Sequence, residues 1–165
     1  LQNIYELKGN AMGQIDKRLA ELGLTVPLPA KPVANYVGWV RTGNLIFTAG
    51  EVSLADGKIH YQGKVGGEIS LEDANKAARL CALNVIGQLR EACGGDLDRV
   101  VRIVKVVGFV NAVPEFADHP KVINGASDVL VEVFGDKGKH ARSAVGSGSL
   151  PLNVAVEVEA IAEID

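Results

Sequence analysis

A chain of 165 residues, 47% hydrophobic and 22% charged, has the length and composition of one soluble globular domain with a real core. A net charge of -3 and a pI near 5.6 give no electrostatic footprint for nucleic acid. No apolar run approaches the roughly 18 residues of a membrane span, and no charged-then-apolar leader precedes the fold, so a cytoplasmic protein without a membrane partner is expected.

In chain order, residues 10–22 read as a helix with Asn10 as its cap, a stripe of Met12, Ile15, Leu19 and Leu22, and Gly23 at its end. Pro27, Pro29 and Pro32 then make a stiff extended connector. Residues 1–34 are therefore assigned to an N-terminal extension and 35–165 to the core of a single domain. Residues 35–41 and 45–51 read as strands joined at Thr42-Gly43, and Asp56-Gly57 marks a further tight hairpin.

Ser70 with Asp73 opens a long helix to Ala92, its apolar positions Leu71, Ala74, Ala78, Cys81, Val85 and Leu89 keeping helical spacing until Gly94-Gly95 stops it. The β-branched run 100–113 reads as a central strand, and 120–134 as a second helix striped by Val122, Ala126, Val129 and Val133 and ended by Gly135. The order predicts an α+β fold: a single mixed β-sheet with two main helices on one face, plus the N-terminal helix. Such helices leave one sheet face uncovered, Ala155 and Ile161 included, and a symmetric oligomer is the economical way to cover it.

Chemistry concentrates at the C-terminal end. From Asn153 onward Val154, Val156, Val158 and Ala160 fall on one face, and Ala155, Glu157, Glu159 and Ile161 on the other, so carboxylates stand among apolar side chains. Arg142 begins a shorter β-compatible run, and its planar fork of donors suits a carboxylate or phosphate. A simple hairpin of the two runs would set Arg142 opposite Glu157. Intervening strands would let the two meet only through the fold or a subunit contact. A structural ion pair is the plainer reading of the two residues.

The pattern Ala141-Arg142-Ser143, then Leu150-Pro151, then Glu157-Val158-Glu159-Ala160-Ile161-Ala162 resembles the RidA (YjgF) family. Asn35-Tyr36-Val37 and the stretch from Gly43-Asn44 to Ala49-Gly50-Glu51 are similar to that family's tyrosine strand, Gly-Asn turn and Ser-Gly-Gln ending, and Asn124 matches its Asn-bearing second helix. The resemblance runs from about Asn35 to the end; the compact members begin near the tyrosine strand, so the extension is a departure.

The resemblance implies a homotrimer with clefts between subunits, and hydrolysis of reactive imines and enamines such as 2-aminoacrylate to 2-keto acids and ammonia. Arg142 would hold the substrate carboxylate, Glu157 would handle the attacking water, and Tyr36 would donate its hydroxyl. Gly50, Glu51, Ala49, Ala144 and Asn124 would complete the pocket, with no metal and no cofactor. Ala49 replaces the family's serine, Ala144 its frequent cysteine, Glu51 its glutamine and His140 its proline. These exchanges imply a more apolar pocket and a different imino acid, with an added negative charge from Glu51. A non-catalytic module that binds keto acids is the alternative, and ribonuclease action, a label of some relatives, fits an acidic chain less well.

The remaining signals read as structure. Cys81 and Cys93, twelve residues apart on one helix, are separated by about 18 Å and cannot bridge. Lys105 is expected to snorkel, His140 to be a loop histidine near the site, and residues 146–149 to form a flexible turn.

Overall fold

The computed structural model describes residues 11–165. In chain order they form α1 (Gln14–Glu21), β1 (Trp39–Thr42), β2 (Leu45–Thr48), β3 (Glu51–Val52), β4 (Leu54–Ala55), β5 (Lys58–Ile59), α2 (Leu71–Ala92), β6 (Val100–Asn111), α3 (His119–Phe134), β7 (Ala141–Ser147) and β8 (Val156–Ile164). The main sheet runs β1-β2-β8-β6-β7, with β3 pairing β8 beyond the end of β2. β6 and β7 are parallel and the other pairs antiparallel, so the sheet is mixed as expected. β4 and β5 form a separate hairpin closed by Asp56-Gly57.

Burial along β8 alternates without a break from Val156 to Ile164, the even-numbered residues lying under the helices. α2 and α3 cover that face, burying Ala74, Ala78, Cys81, Val85 and Leu89 from one and Val122, Ala126, Val129 and Val133 from the other. Ser70 caps α2 by accepting from the Asp73 N–H, an arrangement worth about 1 kcal/mol. Among the described residues no helix covers the opposite sheet face. Val40, Phe47 and Val145 are exposed there, and Val107, Phe109 and Ile161 are half-buried. Ala155, expected on that face, is instead buried, its N–H donating to the Tyr61 carbonyl of the 61–63 segment, which pairs alongside through the Gln62–Val154 bridge.

Several sequence expectations need correction. The proposed cap Asn10 lies outside the described residues, and the first helix begins only after Gly13, leaving Met12 exposed ahead of it. Its first two N–H groups, on Gln14 and Ile15, donate to the Asp98 carboxylate at 2.8 Å each, so a residue distant in sequence caps the helix. The Arg90–Asp16 ion pair adds a second anchor. The connector lies so close on α2 that a Cβ at Gly87 would stand 2.6 Å from the Pro27 carbonyl oxygen.

The first strand starts at Trp39, not Asn35. Its partner β2 runs only to Thr48, and after the Ala49 N–H donates to the Gly38 carbonyl no ladder remains for residues 35–37. The strand expected over 45–51 breaks at Ala49-Gly50, where one extra residue separates the Phe47–Ile161 and Glu51–Val158 pairs. The first turn centres on Gly43-Asn44, since Thr42 pairs with Leu45. Gly146 and Ser147 belong to β7, so the expected turn of 146–149 is shorter.

Candidate active site

The break between β2 and β3 is held from below by two amides one turn apart on α2. Asn84, buried, donates to the carbonyls of Val52 and Leu54 at 3.2 and 2.8 Å. Gln88, also buried, donates to Glu51 Oε1 at 2.8 Å. Gly50 sits in the break against Glu157: a Cβ there would lie 2.0 Å from Glu157 Oε1, so no larger residue fits while the carboxyl keeps its place.

Glu157 makes no hydrogen bond or ion pair among the described residues, and burial, then the Glu159 charge, pushes its pKa up. Glu51 is pushed up to about 7 by burial, with the Gln88 N–H opposing and Glu157 reinforcing. The negative charge expected at Glu51 is therefore only partly present near pH 7.

Arg142 belongs to another cluster. Its Nη1 donates to Asn124 Oδ1 at 2.9 Å and Ser127 Oγ at 3.1 Å, both on α3. The Nε–H and Nη2–H groups keep no partner among the described residues, leaving the edge that receives a carboxylate side-on. Ala144 follows two residues on, half-buried against the core.

The strand order decides how the two clusters relate. β6 lies between β7 and β8, so the simple hairpin does not exist. Arg142 pairs with Val106 and Glu157 with Phe109. Paired residues share a face and neighbours alternate, so three steps along β6 put the two side chains on opposite faces. This also rules out a structural ion pair within one chain.

Tyr36 is exposed and lines a cavity of about 550 Å³ with Trp39, Pro29, Pro32, Lys31 and Gln88. Gln88 thus separates the tyrosine cavity from Glu51. Lys105 reaches Ser143 Oγ at 3.2 Å on the uncovered face. Asn84, Gln88 and Ser127 escaped the sequence reading, although amides at i and i+4 inside the apolar block 81–89 were a signal for the first two.

Residues 16–164 match the family described as "YjgF/chorismate_mutase-like, putative endoribonuclease". The chain belongs to the YjgF family. Protein TCP17 of Trypanosoma cruzi is 41% identical over 156 residues, covering 94% of this chain and 97% of that protein. The 2-iminobutanoate/2-iminopropanoate deaminase of Dermatophagoides farinae is 29% identical over 142 residues, 86% of this chain and 95% of its own. Among solved structures, Atu1372 from Agrobacterium tumefaciens is 46% identical with a TM-score of 0.86, covering 92% of both chains. As a YjgF-family fold the chain contains no helix, among the described residues, long and apolar enough to cross a membrane.

Proposed function

We propose that this protein is a hydrolase of carbon–nitrogen bonds that converts short-lived 2-imino acids, and the enamines that tautomerise to them, into 2-keto acids and ammonia. The observation that carries this reading is Arg142: α3 takes one nitrogen of the guanidinium and leaves a side-on edge free, as a 2-imino acid carboxylate requires. The likeness to a deaminase of 2-iminobutanoate and 2-iminopropanoate points the same way.

In this reading Glu157 accepts a proton from water as the oxygen attacks the imine carbon. It returns that proton to nitrogen to complete the carbinolamine, then carries the hydroxyl proton to the same nitrogen as the C–N bond breaks, so that both protons of the water leave with ammonia and its oxygen stays as the keto group. A carboxyl held above its ordinary pKa and without a hydrogen-bond partner among the described residues is suited to both transfers. Tyr36, Gly50, Ala49 and Ala144 line the approach, with Asn124 steadying Arg142. The chemistry needs positioning and one proton shuttle, and no cofactor enters it.

Arg142 and Glu157 leave opposite faces of one sheet, so the complete site is assigned to a symmetric oligomer, with Arg142 from one copy meeting Glu157 of the next. A homotrimer is the form proposed, its uncovered sheet faces packed together. The test is release of keto acid and ammonia from freshly generated imino acids by wild type, Arg142→Ala and Glu157→Gln. Wild type alone should accelerate hydrolysis, and no acceleration on any imino acid would overturn the proposal. In that event, keto-acid binding that needs Arg142 would favour a non-catalytic module. RNA is the poorer substrate, because the net charge of -3 offers no basic surface, and on β6 and β8 the uncovered face sets Glu157, Glu159 and Glu163 against Arg102 and Lys105.

A further inference from the structure

A run of hydrogen bonds leads from Arg142 into the loop that precedes it, and its polarity is fixed at both ends. His140 Nδ1 lies 2.6 Å from the Gly138 carbonyl oxygen, which can only accept, so Nδ1 carries the proton. Gly138 is buried and packed so tightly on the end of α3 that a Cβ would stand 2.3 Å from the Leu130 carbonyl oxygen, which fixes that acceptor in space. In the neutral ring Nε2 is then a lone pair, and Ser127 Oγ, 2.9 Å away, must donate to it. With its single proton spent, the Ser127 hydroxyl turns a lone pair toward Arg142 Nη1 at 3.1 Å. Guanidinium only donates, so every bond in the run has a consistent direction. Burial favours the neutral ring, the Gly138 bond opposes it, and the adjacent Arg142 charge adds to the effect of burial.

We propose that His140 is a positioning residue: through Ser127 it fixes the roll of the Arg142 guanidinium so that the Nε–H and Nη2–H edge faces an incoming 2-keto or 2-imino carboxylate. The inference rests on Arg142 being the carboxylate anchor. His140 and Arg142 lie two residues apart, and both side chains meet the Ser127 hydroxyl. Asn124 alone would leave Nη1 with one bond and the guanidinium free to swing about it. With Ser127 held by the imidazole, both Nη1 protons are engaged.

The test has two readouts. Long-range ¹H–¹⁵N NMR of the full chain at pH 7, with the His140 signals assigned by their loss in His140→Gln, should show the Nδ1–H tautomer; an Nε2–H tautomer overturns the proposal. Pyruvate affinity, measured by NMR titration, should fall about threefold to tenfold in Ser127→Ala and in His140→Leu, the loss expected for one hydrogen bond. His140→Gln places an acceptor near the position of Nε2 and should recover most of what His140→Leu loses. In the imino-acid assay the same losses should raise KM and leave kcat near the wild-type value. If Ser127→Ala and His140→Leu bind pyruvate as wild type does while Arg142→Ala does not, the positioning role is wrong and the anchor stands. If Arg142→Ala also binds as wild type, the anchor reading fails and takes this inference with it.

Discussion

Arg142 and Glu157 stand on opposite faces of one sheet, separated by the whole width of β6, which pairs with Arg142 through Val106 and with Glu157 through Phe109. One copy cannot aim both at the same small molecule without breaking that register. A site made of both residues is therefore a site between copies.

Subunit complementation tests this directly. Arg142→Ala and Glu157→Gln proteins should each be inactive alone. Co-refolded in equal amounts, they should rebuild an intact Arg142 facing an intact Glu157 in about a quarter of the sites, because each residue comes from an independent copy. Keto-acid release near a quarter of the wild-type rate is the expected result. A mixture as inactive as its components would place the reaction within one chain, or away from this pair.

Glu51 gives a prediction in pH. Its carboxyl titrates near 4.5 in the unfolded chain and about 7 in the fold, so the folded protein holds that proton more tightly. The resulting stability is whole below about pH 4.5 and is lost as pH rises through about 7. Between pH 5 and 8.5, wild type should lose on the order of 2–3 kcal/mol more than Glu51→Gln, whose amide keeps the shape without the charge. Urea unfolding of both proteins at the two pH values measures the difference, and equal losses would show that Glu51 ionises without cost.

Much of this architecture was legible in residue order. Helical spacing in the 71–89 stretch located α2, unbroken alternation located β8, and Asp56-Gly57 located its hairpin, because each signal is local and each element buries one side. Periodicity reports which side of a strand is buried and says nothing about which strand lies next to it. The insertion of β6 between β7 and β8 was for that reason invisible, and with it the opposed aim of Arg142 and Glu157. Tyr36 looked like a strand residue by propensity, yet its pairing was decided by where β2 ends, at a break held by Asn84 and Gln88 from another element.

The start of α1 is a second case of long-range control, and it can be measured. Asp98 accepts the Gln14 and Ile15 N–H groups and so replaces the cap that Gly13 cannot supply. Asp98→Ala should cost about 1–2 kcal/mol, felt mostly as opening of α1. Hydrogen exchange should speed up at residues 14–18 while β6 and β8 keep their protection. Uniform loss of protection across the sheet would mean that the extension and the core unfold together.

Gly50 and Glu157 supply the sharpest test of the pocket. A methyl group at Gly50 would stand 2.0 Å from Glu157 Oε1, so Gly50→Ala must push the carboxyl aside or open the break between β2 and β3. Overpacking of this kind costs about 1–3 kcal/mol, and displacing Glu157, the proposed proton shuttle, should lower kcat by at least about tenfold. Truncating Glu157 removes the collision, so Gly50→Ala should be nearly neutral for stability in a Glu157→Ala background. The double-mutant cycle should then show a coupling of about 1 kcal/mol or more. Activity should not return in the double variant, because the shuttle is gone, which separates the packing effect from the chemical one. Additive stability changes would show that Glu157 does not rest on Gly50, and the reason for glycine in the break would have to be sought in the backbone itself.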